Sequence, residues 1–301
     1  MHQFSNDERK VIVKALFEQR KNFDGTDEQF AQSFGINYSV YSRLKSVSDY
    51  SSLLSAAKWA DVAYELQVDF KKSKWIVGKT DVYAMIEEEV LFCKKYAKSR
   101  ICVESSDIGK TTAAKHLAAT YKNIFYIDVS QCPGKIEFIR TLAKKLGINP
   151  DDKIANLRAK TKYQLKVLPD PIIILDEAGD AKYETFLLWK EYWNGTEGTC
   201  GWYMIGADAL RDWIERGKKN RKVGFYEMFN RYGGNYTTII PFDPKEKAQF
   251  YKKLITDVVR LNVSDKSKVN EIVAKALRKN EDTGEYSGLR RIDSLILLHT
   301  N

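Results

Sequence analysis

Gly109-Lys110-Thr111 follows the apolar run Ile101-Cys102-Val103 and precedes a stretch of helix formers. A strand that turns into a helix in this way offers free N–H groups and the positive end of the helix dipole to an anion. In such a turn Gly109 lets the main chain approach phosphate oxygens, Lys110 neutralises them, and the Thr111 hydroxyl is offered to Mg2+. Ser105, Ser106, Asp107, Ile108 and Thr112 would complete the cradle. The pattern GxxxxGK[ST] asks for glycine where Glu104 stands, and Asp107 sets an acid beside a site for anions. By itself the tripeptide also starts ordinary helices. A second run, Pro171-Ile172-Ile173-Ile174-Leu175-Asp176-Glu177, is an apolar strand ending in two acids. Asp176 is expected to hold Mg2+, directly or through water, and Glu177 to orient and deprotonate an attacking water. The two runs in this order, each at a strand end, point to a nucleotide site more strongly than either alone.

Residues 76–244 must position those side chains. Helical patterns at Asp81–Lys98, Lys110–Tyr121 and Ile136–Leu146 alternate with strand patterns at Arg100–Val103, Ile124–Val129, Pro171–Leu175 and Trp202–Ile205. This alternation predicts an α/β domain with a parallel sheet. Residues 1–75 read as helical throughout. Ser5 caps a helix carrying Val11, Val13, Leu16 and Phe17; shorter helices run from Asp27 to Gly35 and from Tyr38 to Lys45. A fourth, Ser51–Leu66, aligns Leu53, Leu54, Ala57, Ala60 and Tyr64. Residues 245–301 form a third, helical unit with amphipathic stretches at Lys245–Leu261, Ser267–Lys279 and Ser287–Leu298.

With 44% hydrophobic and 30% charged residues, the 301-residue chain has a folding composition. No apolar run approaches a membrane span, and Met1–Asp7 lacks the basic start and apolar stretch of a signal peptide. Cys93, Cys102, Cys132 and Cys200 are scattered without a CxxC pair, which argues against a disulfide framework or zinc site and for a cytoplasmic location. The net charge of +9 suits a polyanionic partner only where the basic residues cluster.

Three further segments follow the acidic strand: Trp202–Asp208, Glu227-Met228-Phe229-Asn230-Arg231-Tyr232, and Ser287-Gly288-Leu289-Arg290-Arg291. In this order behind the phosphate motifs, the chain resembles the AAA+ ATPases over about residues 76–301. The resemblance implies a P-loop NTPase fold with a helical lid, ATP and Mg2+ as cofactors, and hydrolysis of ATP to ADP and phosphate. It implies that Arg231 is an arginine finger for a neighbouring subunit's γ-phosphate. Arg290 takes the sensor position of the lid, with Arg291 as the alternative, and Asp208 is the one polar residue available at the sensor after the 202–205 strand. Gly109–Thr112, Ile124–Pro133, Leu175–Gly179 and Ile205–Leu210 most resemble the transposition-helper ATPases, namely the target-DNA activator of phage Mu and the IstB- and TnsC-like proteins. That group implies an ATP-linked homo-oligomer or filament on double-stranded DNA that recruits a transposase. A replication-initiator or helicase-loader ATPase is the alternative in the same class. A non-hydrolysing DNA-binding regulator with a degenerate nucleotide site is the alternative outside it.

Two segments are candidates for nucleic acid. Residues 27–46 fit a helix-turn-helix, with Ala31, Gly35, Ile36 and Leu44 at packing positions and Tyr41 in place of a small branched residue. Tyr38, Ser42, Arg43 and Lys45 would then face DNA. Residues 1–75 carry 11 Lys and Arg against 10 Asp and Glu, a weak footprint for such binding. Arg216-Gly217-Lys218-Lys219-Asn220-Arg221-Lys222 is the stronger one, with five cations in seven residues and no acid. Read as a loop repeated by each subunit, Lys218, Lys219, Arg221 and Lys222 would form a basic track whose affinity falls steeply with salt.

Overall fold

Strands buried on both faces must read as unbroken apolar runs, and the four strands expected above form in the computed structural model. It describes residues 3–21, 23, 25–66, 68, 70, 75–279, 284 and 286–300. At the N-terminal end, α1 (Asn6–Lys21) opens on a capping box in which the Glu8 amide donates to Ser5 Oγ at 3.2 Å and the Ser5 amide donates to Glu8 Oε2 at 2.7 Å. Thr26 caps α2 (Asp27–Ser33), Asn37 caps α3 (Tyr38–Leu44) and Ser55 caps α4 (Ala56–Glu65). Between α2 and α3 the chain turns at Gly35 in the left-handed region, φ +59°. These helices enclose a core of Ile12, Val13, Leu16, Phe30, Ala31, Tyr41, Leu44, Trp59 and Val62. Two details differ from the sequence expectation. Val11 is exposed and Ile12 takes its place inside. The last helix starts at Ala56 rather than Ser51 because Ser55 caps it, and it buries Trp59, Val62 and Ala63 while Tyr64 faces outward.

The α/β part runs α5 (Asp81–Tyr96), β1 (Ser99–Val103), α6 (Lys110–Thr120), β2 (Ile124–Asp128), α7 (Lys135–Lys145), α8 (Ile154–Val167), β3 (Ile172–Asp176), α9 (Tyr183–Gly195), β4 (Gly201–Gly206), α10 (Asp208–Lys219), α11 (Phe225–Arg231) and β5 (Tyr236–Thr237). The five strands form one parallel sheet in the order β2-β3-β4-β1-β5. Strand alternation splits the side chains between two cores. Val103, Ile127, Ile173, Leu175, Trp202 and Met204 pack with α7 to α11, and Cys102, Ile124, Ile172, Ile174, Tyr203 and Ile205 pack with α5 and α6. Glu89, buried in α5, is held by Arg100 Nη1 at 2.8 Å, Tyr203 Oη at 2.6 Å and Thr237 Oγ1 at 2.8 Å, which ties α5 to three strands. All four cysteines are buried and unpaired, and burial pushes the Cys93 and Cys102 thiols up to about 12.

The chain ends in α12 (Pro244–Asn262), α13 (Val269–Ala276) and α14 (Arg290–Thr300). Ile255, Val259, Ile272, Ala276 and Ile292 make a fourth core, while Tyr251 and Leu254 reach back to the sheet. Polar contacts link the units. The Ile76 amide donates to Asn262 Oδ1 at 2.7 Å, and Asn262 Nδ2 donates to the Ile76 carbonyl at 3.1 Å. Lys144 of α7 meets Glu65 of α4 at 2.6 Å. Among the described residues no helix is long and apolar enough to cross a membrane.

Candidate functional site

In an open parallel sheet, ligands sit beyond the carboxyl ends of the strands where the strand order reverses. Here β1 leads through α6 to the far edge strand β2, and the chain then returns through β3 and β4 to β1's side. The loop 104–109 leaves β1 at that point. Gly109 (φ +97°) and Asp107 (φ +63°) both lie in the left-handed region, so the loop curls back over the first turn of α6. Among the described residues no side chain caps α6, whose opening N–H groups stay available to an anion. Lys110 is buried, and its Nζ donates to the carbonyls of Glu104 at 2.7 Å and Ser105 at 2.6 Å, across the mouth of the loop. Burial lowers the Lys110 pKa, and the charges of Cys102, Asp176, Glu104 and Glu177 work against that shift. The loop lysine and both strand-end acids therefore share one site.

Asp176 ends β3 fully buried, and Tyr126 Oη donates to its Oδ2 at 2.8 Å. Burial first, then Asp176, raises the Tyr126 pKa, so the phenol stays protonated as a donor. Glu177 stands next in the left-handed region, φ +49°. Partial desolvation, then the like charges of Asp176 and Asp180, raise its carboxyl above the usual carboxylate value. A base that holds its proton more firmly is better matched to taking one from water near neutral pH. Thr111 and Asp176 are too few to hold a metal alone; Mg2+ binds through one or two protein oxygens with phosphates and waters supplying the rest. Among the described residues no cluster of three or more His, Cys, Asp or Glu suits a metal.

Glu104 does not project into the mouth of the loop. Its Oε2 accepts from the amides of Ile239 at 2.8 Å and Ile240 at 2.9 Å, and its Oε1 from the Ser105 amide at 2.9 Å. The carboxylate is turned toward the segment after β5. Asp107 also faces away from Lys110: its Oδ1 meets Arg290 Nε at 2.8 Å. Ile108 is wholly buried, so it can offer a ligand only its main chain. Ser105 is half-buried, and Ser106 and Thr112 are exposed.

The other expected residues lie elsewhere. Asp208 opens α10, exposed, 3.7 Å from Arg211 Nη1. Its helix starts two residues past Gly206, which pairs with Val103, so the Ile205–Leu210 segment is a strand end running into a helix rather than a turn alone. Arg231 packs its guanidinium 4.7 Å from the Trp193 ring, and Trp193 Nε1 donates to Ser99 Oγ at 2.9 Å. Ser99 begins β1, and roughly 13 Å of strand separates it from the loop end. Arg231 is therefore remote from Lys110 of its own chain, and its Nη1 is buried without a hydrogen-bond partner among the described residues. Arg290 is the exception: exposed at the start of α14, it still reaches the loop through Asp107, with Arg291 half-buried beside it.

The basic run is not a loop. Arg216 to Lys219 form the last turn of α10, where the helix dipole favours cations, and Asn220 to Gly224 turn into α11. The reason is the apolar face of Leu210, Ile214 and Gly217, with Phe225 packed on Gly217. Lys218 is bound to Glu215 at 2.9 Å and lies 3.7 Å from the Phe229 ring centroid, while Lys222 lies 4.0 Å from that of Tyr183. Lys219 and Arg221 are exposed, Arg221 on the wall of a groove of about 480 Å3 edged by Val223 and Tyr226. In α3, Tyr38, Ser42 and Arg43 share an exposed face, but Lys45 is paired with Asp27 at 2.5 Å.

Sequence reasoning missed Tyr126. The register Tyr126↔Ile174 sets it two residues before the strand end that carries Asp176, a position readable only once β2 and β3 are known to pair. A cavity of about 880 Å3 lies along edge strand β2 beneath the N-terminal helices and reaches Thr112, Lys115, Tyr126 and Asp128. Compared with known proteins, the chain matches no family model and no curated protein.

Proposed function

We propose that this chain is an ATPase of the AAA+ type that assembles on duplex DNA. The observation that carries the reading is the meeting of Lys110, Asp176 and Glu177 at the carboxyl ends of β1 and β3 beside an uncapped helix start. The residues fit ATP and Mg2+. The Lys110 ammonium, now on two loop carbonyls, has hydrogen bonds to exchange for phosphate oxygens, and Asp176 keeps Oδ1 free of the Tyr126 hydroxyl. Bound Mg2+ would neutralise charge on the phosphates. Thr111 and Asp176 would hold it, Lys110 and the α6 amides would bind the phosphates, and Glu177 would align a water and take its proton.

Arg231, remote from its own loop, serves the site of an adjacent copy, which couples ATP binding to self-association. That role rests on the resemblance: as placed, the guanidinium lies against the Trp193 ring with Nη1 buried, so it must swing off that ring to reach a neighbour. Lys219, Arg221 and the Lys218 and Lys222 ammoniums face duplex phosphates in the assembly, with Tyr38, Ser42 and Arg43 of α3 as a second surface. Recruitment of a transposase and the Asp208 and Arg291 roles rest on the resemblance alone, and a cytoplasmic setting rests on the scattered cysteines of the sequence. The test is phosphate release with and without duplex DNA, alongside electron micrographs of protein and DNA with and without ATP. DNA-stimulated release and ATP-dependent rings or filaments are expected. A protein that stays a lone protomer with ATP, Mg2+ and DNA supplied overturns the proposal.

A further inference from the structure

The acid in the phosphate loop has a partner 183 positions away. Asp107 Oδ1 lies 2.8 Å from Arg290 Nε, and the Leu289 amide donates to the Asp107 carbonyl at 2.7 Å. Gly288 presses so close that a Cβ there would stand 2.5 Å from Asp107 Cβ and 2.8 Å from its carbonyl oxygen, and Gly288 takes φ +57° to do so. On the neighbouring loop residue, a Cβ at Gly109 would stand 3.3 Å from Leu289 Cδ1. The start of α14 is thus fastened to the phosphate loop by main chain, side chain and close packing together. The Arg290 side chain nevertheless remains 85% exposed, so its guanidinium is held at the rim of the site without being walled in.

We propose that Asp107 is a positioning residue for Arg290: it acts as the counter-ion that keeps this arginine on the loop until a third phosphate competes for it. This rests on the nucleotide reading above. Two anions, the Asp107 carboxylate and a γ-phosphate, want the same guanidinium, and an exposed pair to a single carboxylate is weak enough to be exchanged. A diphosphate lacks the competing group and leaves the contact intact. The contact therefore makes the seating of α14 on the loop depend on whether ATP or ADP is bound.

The test compares the full-length parent with Asp107→Asn, Arg290→Ala and the double variant. Asparagine tolerates the left-handed region, so the loop conformation is retained. Fluorescent ATP and ADP analogues report affinity without turnover. Asp107→Asn is expected to tighten ATP by roughly three- to tenfold with little change for ADP, and the gain should vanish when Arg290 is already alanine. Equal tightening for ATP and ADP, or a gain that survives in the Arg290→Ala background, overturns the proposal, because a through-space charge effect needs no arginine. Hydrogen exchange at Leu289 without nucleotide supplies a separate readout: Arg290→Ala should speed it roughly two- to fivefold, the scale of one exposed ion pair. Unchanged exchange together with normal ATP binding sinks the contact; faster exchange with no ATP binding by any variant sinks the nucleotide reading instead.

Discussion

Glu104→Gly restores the residue that the phosphate-loop pattern asks for, and it should harm the protein. The side chain it removes accepts three backbone hydrogen bonds, from Ser105, Ile239 and Ile240. Hydrogen bonds to a charged acceptor contribute about 1.5–3 kcal/mol each. The Ser105 bond is local, and water can reach part of this site, so the two bonds to the segment after β5 are counted at the low end, about 3 kcal/mol together. Added backbone freedom of glycine costs a further 0.5–1 kcal/mol or so, for a total of roughly 3–4 kcal/mol. Glu104→Gln keeps a neutral acceptor and should lose only about 1 kcal/mol. Urea unfolding followed by tryptophan fluorescence measures this, because Trp189 and Trp202 are fully buried in the same α/β core. A fluorescent ATP titration of each variant accompanies it. If Glu104→Gly proves as stable as the parent, or binds ATP more tightly, the carboxylate is a defect of the loop and not its anchor.

Glu177→Gln should bind ATP normally while hydrolysis drops by about 100-fold or more, leaving ATP-bound assemblies on DNA in micrographs. In the parent, the Glu177 carboxylate must be ionised to act, so activity falls as pH drops through its pKa. Because that pKa is raised above 4.5 in the free chain, the acid limb of the kcat/KM profile, which reports the free enzyme, should lie above the ordinary carboxylate range; a limb at or below 4.5 contradicts the assignment. Arg231→Ala should leave ATP affinity unchanged but cut hydrolysis by about 10³, and mixing it with Lys110→Ala protein should restore part of the rate, since each variant then supplies what the other lacks. No recovery on mixing counts against action between subunits. Changing Lys219, Arg221 and Lys222 together to Ala should weaken duplex binding and flatten its salt slope by up to about 2.7, at 0.9 per phosphate contact; a salt titration with an unaltered slope removes this surface from consideration.

The strands that carry the site were legible because burial on both faces leaves only apolar residues, as in Ile172-Ile173-Ile174-Leu175. β5 was not, since only Tyr236 and Thr237 pair and neither is fully buried. α8 escaped notice because a single sparse row, Leu157, Thr161 and Leu165, is buried among polar neighbours. α10 was hidden by its own charge, as its last turn supplies most of the basic run. Lys110, Asp176 and Glu177 could be paired from the chain alone because each ends a recognisable strand or begins a recognisable helix. The partners of Glu104 and Asp107 could not, because Ile239, Ile240 and Arg290 lie more than a hundred residues downstream and no local pattern encodes such contacts.

The reciprocal pair of hydrogen bonds between Ile76 and Asn262 has a mechanical consequence. Ile76 leads directly into α5, and Lys253 of α12 meets Asp81 at the start of α5 at 2.5 Å. α12 is thereby clasped to the front of α5 at two points. Any swing of the C-terminal helices relative to the sheet must open that clasp or carry the start of α5 with it.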